Sequence, residues 1–217
     1  MSELFDEVDE EVRREQLKKL WDKYSLFIIA VAILIVAAVG GWRGYQYLEA
    51  KRAAEAGDAF NKAVDLSEQN KHGEAETAFS DLVAKGTYGY RLLSRFRLAA
   101  EVEKRDPKAA AQMFDELAAD RSIGAEQQEL ARIRAGGILV DTAGYADMKQ
   151  RLEADAAPNA TFHHVARELL ALSAVRANDS SAARQWLDMI SADADTPPSV
   201  RSRAEALQAL LPPVAKS

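Results

Sequence analysis

The 217-residue chain contains no cysteine. That absence removes thiolate nucleophiles, disulfide frameworks, iron–sulfur clusters and cysteine-ligated zinc together. Imidazole is scarce, because His72, His163 and His164 are the three histidines. Positive charge is not in excess: 28 Lys and Arg face 34 Asp and Glu, a net charge of −6. A nucleic-acid partner, which calls for a basic footprint, is therefore not expected. Aromatic residues make up 7% of the chain. Val, Ile and Thr are sparse outside one segment, and no period-two alternation persists, so strands are not expected either. What remains is 48% apolar, enough to bury a core of one domain, with or without an appendage.

The segment that concentrates the apolar residues runs from Tyr24 to Trp42, YSLFIIAVAILIVAAVGGW, and carries no charge over its 19 residues. As a helix at ~1.5 Å per residue it reaches about 28 Å, close to the ~30 Å hydrocarbon core of a bilayer. Tyr24 stands at one end, and Trp42, Tyr45 and Tyr47 at the other, where interfacial aromatics collect. A cleavable signal peptide would open on a short basic region and a shorter apolar run. Here more than twenty residues precede the run, acidic at their start, so an uncleaved anchor is expected. Arg13, Arg14, Lys18, Lys19 and Lys23 precede the span, against Arg43, Lys51 and Arg52 after it. The asymmetry predicts a cytoplasmic N-terminus and a translocated bulk, which a cysteine-free domain tolerates.

Three regions follow: a charged cytoplasmic helix at 1–23, a transmembrane helix at 24–45 and a periplasmic helical domain at 46–217. In the first, acids crowd the front (Glu3 to Glu11) and bases the back (Arg13 to Lys19), the order that a helix dipole favours. Phe5, Val8, Val12, Leu20 and Trp21 outline a thin apolar stripe. Such a segment either positions the span as a solvated helix or docks a cytoplasmic partner.

Beyond Arg43 the chain is rich in Ala, Leu, Glu, Lys, Arg and Gln, all strong helix formers. Breaks recur at Asn70–Gly73, Lys85–Gly89, Asp106-Pro107, Ser122–Gly124, Thr142–Gly144, Ala157–Ala160, Asn178–Ser180 and Asp195–Pro198. Asp106 before Pro107 and Thr196 before Pro197 read as helix starts. Ala75, Phe79 and Leu82 recur about 35 residues on as Ala110, Phe114 and Leu117. The pattern is expected again, weakly, at Tyr145, Lys149 and Leu152, and then at Ala182, Trp186 and Met189. A period near 34 in helix–turn–helix units is that of tetratricopeptide repeats, although the Trp-x-x-Leu-Gly-x-x-Tyr signature of their first helix does not appear. The expected fold is all-α: an N-terminal single transmembrane helix, then a tetratricopeptide-like α-solenoid of about four helical hairpins plus a capping helix. An unrelated helix bundle is the alternative.

The run Phe5-Asp6-Glu7-Val8-Asp9-Glu10-Glu11-Val12-Arg13-Arg14 carries a family likeness, with Leu17-Lys18-Lys19-Leu20-Trp21, Tyr24 and Gly41-Trp42-Arg43-Gly44. Gly86-Thr87-Tyr88-Gly89-Tyr90 and Leu98-Ala99-Ala100 extend it. With these residues the chain resembles the membrane-anchored tetratricopeptide proteins of the ancillary Sec translocon (SecYEG) subunit family. The resemblance implies a single-pass bacterial inner-membrane protein with a periplasmic repeat domain. It also implies partners: translocon subunits, periplasmic chaperones and emerging polypeptides. It brings no catalytic residues.

Catalytic and metal chemistry are not expected, nor a cofactor or small-molecule substrate. His163 and His164 are adjacent and diverge by about 100° on a helix, so they read as a surface pair rather than metal ligands. Gly136-Gly137 interrupts a helical pattern without a following phosphate-binding Gly-Lys-Ser/Thr, and reads as a close helix contact. Two sets of residues are candidates for binding. Tyr88, Tyr90, Arg91 and Arg95 cluster where the first helix of a hairpin begins, and Tyr and Arg dominate binding hot spots; packing and ion pairing are the other reading of the same residues. Ala37 with Gly41, and Gly40 with Gly44, form two small-xxx-small faces suited to a transmembrane-helix contact. The expected function is a protein-interaction scaffold in the bilayer, a translocon-associated chaperone or adaptor. Its rivals are an envelope-assembly or cell-division adaptor without translocon contact, and a cytoplasmic-side regulator acting through residues 1–23.

Overall fold

A computed structural model describes residues 3–212, and the side chains of residues 3–12 and of Gln16 lie outside that description. The Phe5, Val8 and Val12 part of the expected stripe therefore lies outside the described residues, as do the side chains of the Phe5–Val12 run. The chain divides into two units, Met1–Glu55 and Ala56–Ser217.

The described residues of the first unit belong to helix α1, Glu3–Glu68. No proline occurs before Pro107, so nothing removes a backbone donor from this stretch. Within α1 lies an apolar window of mean hydropathy 2.5, none of which is buried. Leu26, Phe27, Leu34 and Val36 are each more than two-thirds exposed. Apolar patches of that kind mark a surface made for something other than water. The helix is long and apolar enough to cross a membrane.

The second unit is a succession of antiparallel helices. The end of α1, from Ala56, pairs with α2 (His72–Lys85), and α3 (Tyr88–Glu103) pairs with α4 (Pro107–Ala119). Next come α5 (Ala125–Leu139) with α6 (Tyr145–Leu152), and α7 (His163–Arg176) with α8 (Ser180–Ala192). Helix α9, Pro198–Leu210, closes the series, and a short 3₁₀ turn at Ala154–Ala156 precedes α7. The described residues form four hairpins and a closing helix, with no strand among them.

Local chemistry sets the hairpin turns. Asn70 and Asn178 adopt φ of 60° and 58°, a left-handed conformation that Asn tolerates better than most residues. Each lets the following N–H reach back: Lys71 donates to the Leu66 carbonyl and Asp179 to that of Ala174, both at 2.9 Å. This is the Schellman closure of a helix C-terminus. Asp106 and Asp179 then cap α4 and α8, accepting from Ala109 N at 3.0 Å and Ala182 N at 2.9 Å. Thr196 does not start a helix; α9 begins at Pro198, and the buried Thr196 hydroxyl donates to the Ile190 carbonyl at 2.7 Å.

The repeated small–aromatic–aliphatic pattern holds in α2 and α4, where Ala75, Phe79, Leu82, Ala110, Phe114 and Leu117 are all buried. Phe79 meets Phe60 edge-on at 5.6 Å between centroids, and Phe114 meets Phe96 at 6.1 Å. In the third and fourth hairpins the register differs from expectation. Met148 is buried and Lys149 exposed; Leu152 keeps its place. In α8 the buried set is Ala183, Leu187 and Ile190, while Met189 is 38% exposed. One residue is about 100° on a helix, so the expected set Ala182, Trp186 and Met189 lies off the buried stripe. Trp186 packs at its edge, and the indole N–H donates to the Tyr145 hydroxyl at 2.9 Å. Gly136 is the close approach expected of the Gly pair, since a methyl there would stand 2.8 Å from Leu152 Cδ1; Gly137 faces open space.

Candidate interaction surface

Arginine–carboxylate forks join one hairpin to the next. Arg105 donates through Nε and Nη2 to Glu76, both at 2.9 Å, and Arg151 forks onto Asp115. Arg203 on α9 holds Glu168 at 2.5 and 2.7 Å. These pairs use up much of the charge on the hairpins' seams. What faces solvent beyond them is the surface available to a partner.

The first turns of α3 show the division. Tyr90 faces inward, its ring centroid 5.7 Å from that of Phe60. Gly57 provides its space, because a methyl there would lie 2.7 Å from the Tyr90 hydroxyl. Arg95 donates to Asp120 Oδ2 at 2.5 Å. Hydrogen bonds from the Ser122 hydroxyl, from Arg95 and from the Ser122 backbone hold the Asp120 carboxyl well below the usual range. Tyr90 and Arg95 thus serve the fold in this chain. Tyr88 is 61% exposed, although its hydroxyl donates to the Ser122 carbonyl at 3.0 Å. Arg91 is exposed, and so is Leu93, which the sequence pattern had not singled out. Tyr88 and Arg91 are three positions apart, so the two share a face of α3.

Ala37, Gly40, Gly41 and Gly44 all lie in α1 and are exposed. A methyl added at Gly40, Gly41 or Gly44 meets nothing within 4 Å. The backbone can be approached closely from that side, which is what small residues contribute to helix contacts in lipid. An open groove of about 610 Å³ runs between α4, α5 and α6, lined by Asp115, Ala118, Arg132, Asp147 and Arg151. Its two arginines are committed to carboxylates, so neither offers a free charge to a ligand.

The two histidines of α7 are not the surface pair expected of them. Their side chains are 15% and 13% exposed, and both point at Asp193, which follows α8. The ring centroids stand 3.9 Å apart. His163 opens α7 and His164 follows it, where side chains of the first turn can lean together over the loop ahead of α9. His163 Nε2 lies 3.2 Å and His164 Nδ1 3.8 Å from Asp193 Oδ2. Arg167, itself buried, donates to that same oxygen at 2.9 Å and to the Ala156 carbonyl at 3.0 Å. The Asp195 backbone N–H, then Arg167 and His163, hold the Asp193 carboxyl below its ordinary value against the opposing effect of burial. Burial and the neighbouring His163 charge push the His164 imidazole down. No local pattern signals this meeting, because Asp193 lies 30 residues from His163 in the chain.

Compared with known families, residues 18–185 match the family described as a tetratricopeptide repeat-like domain. The match takes in the apolar run and the hairpins as far as the first residues of α8. No curated protein and no solved structure matches the chain.

Proposed function

Because the chain belongs to the tetratricopeptide repeat-like domain family, whose fold serves protein–protein interaction, we propose that it is a membrane-anchored scaffold, an ancillary chaperone or adaptor at the protein-export channel. The observation that carries this reading is the extent of the match: one family pattern covers both the membrane-competent helix and the hairpins. A scaffold tied to the bilayer by its own family domain works on partners that are themselves at the membrane. The Lys and Arg excess before the span supports a cytoplasmic N-terminus and hairpins on the far face of a bacterial inner membrane. There the partners are translocon subunits, periplasmic chaperones and emerging polypeptides. Tethering raises the effective concentration of weakly binding hairpins beside the channel exit.

Tyr88 and Arg91 are the residues of the original cluster that offer contact to a partner; Tyr90 and Arg95 hold them in place. The faces of Ala37 with Gly41, and of Gly40 with Gly44, dock the span against another transmembrane helix. The test is site-directed photocrosslinking of the full chain in bacterial membranes, with the crosslinker in place of Tyr88 or Arg91. Channel subunits and periplasmic chaperones are the expected adducts. Adducts with envelope-assembly or division proteins and none with the channel would replace this reading by the adaptor alternative. Partners that are captured only from residues 1–23 would place the function on the cytoplasmic side.

A further inference from the structure

We propose that His163, His164 and Asp193 form a binding site for a late first-row divalent cation, Zn²⁺ or one of its neighbours. His163 Nδ1 lies 2.6 Å from the Ala160 carbonyl. A carbonyl only accepts, so Nδ1 is an N–H donor; the outer nitrogen Nε2 faces Asp193 Oδ2 at 3.2 Å, and an ion there would take the place of the proton that this contact shares. A ring N–H fixed by a backbone carbonyl, with the other nitrogen aimed at a shared point, is the arrangement that orients metal-binding imidazoles.

The distances agree with that role. Metal–ligand bonds of about 2.0–2.1 Å in a tetrahedron put ligand atoms roughly 3.3 Å apart. His163 Nε2 and His164 Nδ1 stand 3.2 and 3.8 Å from Asp193 Oδ2, and the three ligand atoms all lie within 4.8 Å of one another. An ion at the carboxylate would draw His164 Nδ1 in from 3.8 Å and bring the two nitrogens, which stand within 4.8 Å of each other, onto one centre. Thr196 Oγ1 stands 3.4 Å from His164 Nδ1. Its proton is committed to the Ile190 carbonyl at 2.7 Å, so Oγ1 accepts from His164 Nδ1, and an ion would bind that nitrogen in place of the proton. Two imidazoles and a carboxylate suit zinc, nickel or copper better than magnesium or calcium, which prefer an all-oxygen shell.

Arg167 is part of the design. Its guanidinium is anchored on the Ala156 and Met189 carbonyls and donates to Asp193 Oδ2 at 2.9 Å, which fixes the carboxylate before any ion arrives. Asp193 Oδ1 accepts from the Asp195 N–H at 3.1 Å, so both carboxylate oxygens are held. An ion there would tie α7 to the loop between α8 and α9. Those elements carry the closing helix, so its occupancy bears on the far end of the hairpin series.

Full-length protein in detergent micelles, titrated with Co²⁺ and then displaced with Zn²⁺, tests the site. Tetrahedral Co²⁺ absorbs in the visible with an intensity that six-coordinate aqueous Co²⁺ lacks. Wild type is expected to develop that band with one equivalent of Co²⁺ and to lose it to Zn²⁺. His163→Gln, His164→Gln and Asp193→Asn should each weaken Co²⁺ binding by at least ~10-fold, while His72→Gln should bind like wild type. Circular dichroism identifies any variant that fails to fold. His164→Gln removes the nitrogen without touching the Arg167–Asp193 contact, so it carries the test if Asp193→Asn is unstable. No visible band in wild type, equal binding by all four variants, or loss confined to His72→Gln would each overturn the site.

Discussion

Arg132 grips Asp155 with both arms: Nε reaches Oδ2 and Nη2 reaches Oδ1, each at 2.7 Å. Arg132 sits in α5, and Asp155 lies in the 3₁₀ turn that leads from the third hairpin into the fourth. The Asp155 side chain is 5% exposed, so its charge has little water to fall back on. Taking away one partner of a buried pair leaves the other uncompensated, at about 3–5 kcal/mol. Arg132→Ala is therefore expected to lower stability by roughly 3 kcal/mol in denaturant unfolding. Arg132→Lys should rescue little of this, since an ammonium cannot fork onto both oxygens. Arg105→Ala, whose side chain is 63% exposed, should lower stability far less, because water screens the pair. Equal losses in the two alanine variants would refute the ranking.

The shifted register of α8 makes a second forecast. Phe79→Ala and Phe114→Ala remove fully buried rings and should each cost about 3–5 kcal/mol. Leu187→Ala belongs with them, at about 2–5 kcal/mol, because Leu187 is fully buried. Met189→Ala should be within about 0.5 kcal/mol of wild type, as an exposed surface substitution. If Met189→Ala proves the more damaging of that pair, the stripe of α8 runs as the repeat pattern predicted and not as described here.

The αL turns can be checked by backbone substitution alone. Asn70→Gly and Asn178→Gly should leave stability unchanged or raise it slightly, since glycine adopts positive φ freely. Asn70→Ala and Asn178→Ala should each cost about 1 kcal/mol, the penalty for a Cβ in the left-handed region. Thermal melts of the four variants decide it, and indifference to alanine would sink the idea.

Glu101 predicts a pH effect. It is buried on α3, which raises its pKa, but hydrogen bonds from Ser67, Lys104 and His72 outweigh burial and leave it below the ordinary glutamate value. Ser67 Oγ donates at 2.5 Å, His72 Nδ1 at 2.9 Å and Lys104 Nζ at 3.0 Å to the carboxylate. A carboxyl depressed in the folded state adds stability that is fully present above its unfolded pKa of about 4.3. That stability is lost as pH falls through the lower folded value. Melting temperature should thus drop more steeply from pH 5 to pH 3 in wild type than in Glu101→Gln. Parallel acid limbs for the two proteins would show that the network contributes nothing.

Topology supplies a further test. Alkaline phosphatase joined after Ser217 should be active in a bacterial host, and the full-length chain should resist carbonate extraction. An inactive fusion, or a shortened soluble product that begins near Gly41, would contradict an uncleaved N-in anchor.

The sequence alone determined whatever depends on neighbours a few positions apart. An uncharged 19-residue run is a membrane-competent helix wherever it occurs, since length and apolarity are local properties. The helix-forming composition, the turn residues at Asn70 and Asn178, and the cap at Asp106 are local too, and so the four hairpins were legible. Ala75, Phe79 and Leu82, repeated as Ala110, Phe114 and Leu117, were legible because three apolar residues on one helical face leave little choice of which face is buried. In α8 that choice was not forced. Ala182, Trp186 and Met189 compete with Ala183, Leu187 and Ile190, and only the shape of the space against α7 and α9 decides for the second set, with Trp186 turned to Tyr145. The same holds for charge. Arg132 and Asp155, Arg203 and Glu168, and the two histidines with Asp193 are separated by 23, 35 and 30 residues for the pairs resolved. No local period links them. The first forms where α5 meets the turn that leads into the fourth hairpin, the second where the closing helix packs on α7, and the third where α8 folds back along α7. Tyr90 and Arg95 went the same way, because Phe60 and Asp120 were waiting on adjacent elements, and their sequence neighbours Tyr88 and Arg91 kept their faces to the solvent.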